Sequence, residues 1–192
     1  MSSTLSVMRM AVQELEAEER VHVFDSQNLS TGIGLMILEA AEMGKNGYTM
    51  KQIVDELETL RSKVRSSFVV DTLTYLHRGG RCSGIAALAG GMLKLHPRIA
   101  VVDGKMEPGK KYRGTIGKVI PAYVKDMEDD LKRAKKNRVF ITHSGCAQEV
   151  IDEVYCYLKQ LDLFEEILIT RAGGVISSHC GPGTLGVLFI AQ

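Results

Sequence analysis

The chain has 192 residues, 45% of them apolar and 24% charged, with a formal net charge of +1. That is long enough to bury a core, and it excludes a global field that would draw the protein to nucleic acid or an acidic membrane surface. No run approaches the roughly 20 apolar residues needed to cross a bilayer, and the start lacks the basic region of a signal peptide. Cys82, Cys146, Cys156 and Cys180 form no CxxC pair, so free thiols in a reducing, cytoplasmic setting are expected.

In chain order, "SSTLS" at 2–6 places hydroxyls where they would cap a helix over 7–19, which carries Val7, Met8, Ala11, Val12 and Leu15 at helical spacing. "VHVFD" at 21–25 alternates and predicts a buried strand. "TGIGLMILEAAEMGKNG" reads as a helix ending at Gly44 or Gly47. Thr49 caps a further helix with Ile53, Leu57, Leu60 and Val64 on one face. Polar "RSKVRSS" then marks a joint near 62–67, followed by a strand at 67–71, the "RGGRCSG" segment and a small-residue apolar helix at 83–93. Asp103-Gly104 signals a hairpin. Residues 116–136 align Val124, Met127, Leu131 and Ala134 as one helical face, with basic "KRAKKNR" at 132–138 as a solvated helix end. A strand at 138–142, a helix at 147–161 with Val150, Val154, Leu158 and Leu161 aligned, and strands at 166–170 and 185–191 complete the pattern. Such alternation indicates an α/β or α+β fold.

Three segments carry candidate chemistry. His179 and Cys180 are adjacent, and neighbours in a strand face opposite sides, which suits a nucleophile–base pair poorly. His143, Cys146, Cys156, His179 and Cys180 match no zinc spacing. "GPGTLG" lacks the lysine of a phosphate loop, though its glycines permit close backbone approach. "RGGR" is either a helix cap with exposed arginines or a pair of guanidinium groups flanking a flexible turn. Hydroxyls at a helix start, an imidazole beside glycines and nearby arginines together suggest a site that binds an anion.

"DTLTYLHRGGRCSG", "RIAVVDGKMEPGKKYRG" and the terminal "SHCGPGTLGVLF" resemble the DegV family in order and spacing, as do "SSTLS" and "VHVFDSQNLSTGIGLMILEAAEMGKNG". The resemblance implies the fold as well: a remnant of a Rossmann-like first domain over residues 1–65, then an α/β second domain over 66–192 with a mixed or mainly antiparallel sheet. It also implies a cytoplasmic, FakB-like protein that binds a long-chain fatty acid. Such a protein has no cofactor and no catalytic residues, and it presents the carboxylate to a separate ATP-dependent fatty acid kinase subunit, with transient membrane-surface contact. Ser3, with Ser2 as the alternative register, and His179 would bind the carboxylate. Arg78 and Arg81 would lie near the head group or on the kinase-facing surface. Gly79, Gly80, Gly181, Pro182 and Gly183 would shape the loops, and the stretch 83–93 would contact the acyl chain. Family members carry a further N-terminal stretch, so the first domain is expected to be incomplete. Val7-Met8 and Cys180 stand where the family has Gly-Thr and threonine. Two other readings stay open: a metal- or thiol-dependent enzyme using His143, Cys146, His179 and Cys180, and a fragment acting only as an interaction module.

Overall fold

The computed structural model describes residues 2–80 and 95–192. Among these, the elements run α1 (Thr4–Glu14), α2 (Ser30–Lys45), α3 (Met50–Arg61), β1 (Val64–Val69), α4 (Thr74–Arg78), β2 (Leu95–Val102), β3 (Lys105–Arg113), α5 (Ile116–Lys125), α6 (Glu128–Lys132), β4 (Arg138–Ser144), α7 (Gln148–Gln160), β5 (Glu166–Arg171), α8 (Gly174–Cys180) and β6 (Thr184–Ile190). The strands form one mixed sheet in the order β3-β2-β1-β6-β4-β5. Only β4 and β5 pair in parallel, joined by α7 as the crossover that parallel neighbours require. The fold is therefore the mixed α/β architecture that the alternation predicts.

All seven residues of β6 are buried, because helices cover both faces of the sheet. Leu185, Val187 and Phe189 pack with Val69, Val139 and Ile141 against α5, α6 and α7. Leu188 and Ile190 point the other way and join Val64 and Phe140 beneath Leu35, Met36 and Leu57 of α2 and α3. Beside that cluster, α4 and α8 lie over Phe68, Val70 and Ile99, contributing Leu76 and Cys180.

Several local signals hold. Thr49 closes α3 with a capping box, its backbone N–H donating to Gln52 Oε1 and its hydroxyl accepting from the Gln52 N–H. Asp103 and Gly104, at φ 47° and 74°, make the tight turn between β2 and β3.

Others are corrected. Residues 21–25 form no strand; the backbone carbonyl of Asp25 instead accepts from Arg61 at 3.2 Å, and that guanidinium lies over the Phe24 ring. No strand lies alongside this segment among the described residues, so its alternation has no ladder to join. The polar run at 62–67 is built into the sheet. Val64 to Ser67 belong to an interior strand, with Ser66 and Ser67 buried.

The helix expected over 116–136 breaks between α5 and α6. Val124, Met127, Leu131 and Ala134 nevertheless all face the core. The break falls at Asp126, whose carboxylate is held by Lys110 of β3 at 2.5 Å. The basic run 132–138 is only in part a solvated helix end. Lys135 and Arg138 turn inward to Glu39, a buried residue of α2, and Arg138 also reaches Glu42 and Glu166. Asn137 donates to Glu39 Oε1 at 2.8 Å. This charge cluster fastens α2 to the start of β4.

Candidate functional site

Two short helices bring the two most distinctive motifs together. The chain leaves β1 through Val70-Asp71, and Thr72 Oγ accepts from the Thr74 N–H to start α4. Leu76 is fully buried against the sheet, so α4 is fixed with Tyr75 and Gly79 one turn apart on a shared face. On the other side, α8 follows β5, with Ile176 and Cys180 packed into the same cluster as Leu76.

His179 occupies the last turn of α8, which ends at Gly181. This differs from the expected placement in a loop or strand. The extra helical turn arises because the chain must seat Ile176 and Cys180 on the sheet, four residues apart.

The contact between α4 and α8 is reciprocal. A Cβ on Gly79 would stand 2.2 Å from His179 Nδ1 and 2.9 Å from Cε1, so the imidazole rests on the bare α-carbon of Gly79. A Cβ on Gly181 would stand 2.3 Å from the Tyr75 ring, so that ring covers Gly181. Gly181 has φ 79°, a conformation that glycine adopts readily. The Gly183 N–H donates to Ser144 O at 2.8 Å and Thr184 Oγ donates to Cys180 O at 3.0 Å, holding the loop against the ends of β4 and α8. His96, buried on β2, places its two ring nitrogens 3.1 Å and 3.0 Å from the carbonyls of Val70 and Gly114, which ties the entry to α4 onto the sheet.

Arg78 is exposed in the last turn of α4, with Gly80 just beyond it at φ 63°. Pro182 is exposed. The structure thus gathers His179, Gly79, Gly181 and Gly183 into one packed unit with Arg78 at its rim. Ser2 and Ser3 are exposed at the start of α1, where Ser2 Oγ accepts from the Thr4 N–H at 3.1 Å. Among the described residues, no hydrogen bond joins either serine to the α4–α8 unit. Arg81 and the stretch 83–93 lie outside the described residues. The sequence pattern did not single out Tyr75; its spacing of four from Gly79 was the available signal.

The thiol and metal readings draw no support from this geometry. Burial pushes the Cys180 thiol up to about 11 and the Cys146 thiol up to about 11, while Cys146 donates to Thr184 O at 3.2 Å. Nothing activates either one. Burial first, and the nearby Arg171 second, hold the His143 imidazole below its ordinary value. Among the described residues no group of three His, Cys, Asp or Glu side chains is placed to hold a metal. Alkylation with iodoacetamide at neutral pH is therefore expected to be about a hundredfold slower at Cys146 and Cys180 than at a free, exposed thiol. Peptide mapping checks this, with exposed Cys156 as the internal reference.

The profile of the DegV family, described as an uncharacterised protein family, matches residues 1–192. A DegV domain-containing protein of Deinococcus radiodurans is 32% identical over 187 residues, covering 97% of this chain and 65% of that protein. A fatty acid-binding protein of Thermotoga maritima is 30% identical over 97% of this chain and 64% of its own length. The chain thus spans slightly less than two thirds of these relatives. Among solved structures, a DegV family protein from Thermus thermophilus, described as binding fatty acid, superimposes with a TM-score of 0.87 at 32% identity, over 100% of this chain and 67% of its own. DegV of Bacillus subtilis, described as a fatty acid binding protein, gives 0.75 at 30% identity, over 90% of this chain and 61% of its own. The chain belongs to the DegV family.

Proposed function

We propose that this chain binds a long-chain fatty acid and presents its carboxylate to a separate ATP-dependent kinase subunit, with no catalytic residue of its own. The observation that carries this reading is the α4–α8 unit, in which His179 rests on Gly79 beside Arg78. Relatives and neighbours described as fatty acid-binding support it.

In this reading His179 and Ser3, or Ser2 in the alternative register, hold the carboxylate. Arg78 and Arg81 add positive charge at the head group or meet the kinase. The setting is cytoplasmic, with transient contact to a membrane surface for loading. About fifteen buried methylenes at ~0.8 kcal/mol each supply roughly 12 kcal/mol gross, much of it offset by lost freedom on binding. Head-group contacts of about 1.5–3 kcal/mol fix orientation. His179→Ala is expected to weaken palmitate binding about tenfold or more, measured by fluorescent-probe displacement. Equal affinity in the two proteins would remove His179 from the site.

A second reading, an interaction module, draws on α1. None of its residues is buried, Val7, Met8 and Met10 are exposed, and Arg9, Val12 and Gln13 line an open cleft of about 750 Å³ between α1, residues 18–25 and α3.

A further inference from the structure

We propose that Gly79 and Tyr75 are positioning residues for His179, and that they turn its Nε2 atom toward the ligand. This inference rests on the fatty-acid reading for its ligand, though not for its geometry.

The imidazole meets Gly79 along its Nδ1–Cε1 edge, at 2.2 Å and 2.9 Å from where a Cβ would stand. With Nδ1 against backbone, Nε2 is the ring nitrogen outside this contact and the one assigned to donate to a carboxylate. Gly79 has φ −71° and ψ −15°, an ordinary helical conformation. Glycine is needed there for space and not for backbone freedom. Any side chain would push the ring away while leaving the backbone unstrained.

Tyr75 acts one turn earlier. Its ring covers Gly181, whose Cβ would stand 2.3 Å, 2.6 Å and 2.9 Å from three ring carbons. Gly181 follows His179 by two residues, and its N–H donates to Ser177 O at 2.8 Å to end α8. Clamping Gly181 therefore fixes the helix end from which His179 projects. Each helix offers a glycine to a ring of the other, and the two contacts together leave the imidazole few orientations. A ring held before the ligand arrives needs little further ordering on binding.

The test combines imidazole nitrogen NMR shifts of the ligand-free protein with palmitate affinity. The His179 signals are assigned by their loss in His179→Ala. Gly79→Ala is expected to fold and to move the His179 nitrogen shifts toward those of a solvent-averaged histidine. It should also weaken palmitate binding about as much as His179→Ala, with the double variant no weaker than either. Tyr75→Ala is expected to move the same shifts, and Tyr75→Phe to restore them, because the ring and not the hydroxyl covers Gly181.

Unchanged His179 shifts in Gly79→Ala would overturn the proposal. So would Tyr75→Phe behaving like Tyr75→Ala. Should Gly79→Ala fail to fold, the Tyr75 pair decides. If the wild-type protein binds no palmitate, the fatty-acid reading fails, while the shifts of the ligand-free protein still decide whether Gly79 and Tyr75 position the imidazole.

Discussion

Tyr123→Phe is expected to lower the unfolding midpoint by roughly 5–15 °C. Tyr123 lies on α5 and is completely buried. Its hydroxyl donates to Ser67 O at 2.7 Å, accepts from the Val187 N–H at 3.2 Å and lies 2.9 Å from Ser67 Oγ. Ser67 and Val187 are register partners on β1 and β6, so one phenol bridges the two central strands. Phenylalanine would keep the ring and leave a buried carbonyl and a buried N–H without that partner, at about 2–4 kcal/mol in total. The same environment raises the phenol pKa, burial being the main cause. The phenol therefore stays neutral, as its donated bond requires. Calorimetry checks the shift; a midpoint within a degree of wild type would mean that the strands close over the gap.

The second large effect concerns the charges under α2. Glu39→Leu is expected to destabilise the protein by about 2–4 kcal/mol, because it removes the buried acceptor of Lys135 and Asn137 and one of the three carboxylates around Arg138, which keeps Glu42 and Glu166. Arg138 Nη1 lies 3.8 Å from Glu39 Oε1 and has no hydrogen-bond partner among the described residues. The double replacement Glu39→Leu with Arg138→Met is expected to recover part of that loss, since no buried charge of this pair then remains. Denaturant titration of the three variants checks it. A double variant weaker than the single would show that the pair contributes net stability.

Acid acts on the same cluster through Glu42. The hydrogen bond from Arg138 holds its carboxyl below the ordinary value of 4.5. Its contribution is complete above that value and is lost as pH falls through the lower folded pKa. Glu42 is partly exposed, so the effect is modest.

The same residues show how much was legible beforehand. β6 announced itself as an apolar run because both of its faces are covered, and Thr49 with Gln52 sit at the spacing a capping box needs. These features depend on near neighbours in the chain. The inward turn of Lys135 and Arg138 does not: it is set by Glu39 and Glu42, on a helix some hundred residues earlier in the chain. Residues 21–25 alternate like a strand, yet pairing needs a neighbour that local pattern cannot supply.

The site divides in the same way. The glycines and His179 were visible as motifs. That they belong to one site was expected; the direct contact of His179 with Gly79 was not, because it follows from α4 and α8 seating Leu76 and Cys180 in one pocket of the sheet. Cys180 was drawn into chemistry by its place beside His179 and by a loose metal-ligand grouping, and burial against the sheet makes it a core residue.

The central claim is tested most directly by native mass spectrometry of the protein purified gently from cells supplied with palmitate. The account predicts a bound species heavier by the mass of one long-chain fatty acid, with the acid recovered on lipid extraction. Protein that is uniformly empty, with no fatty acid in the extract, would contradict it and leave the exposed face of α1 as the better guide to what this chain does.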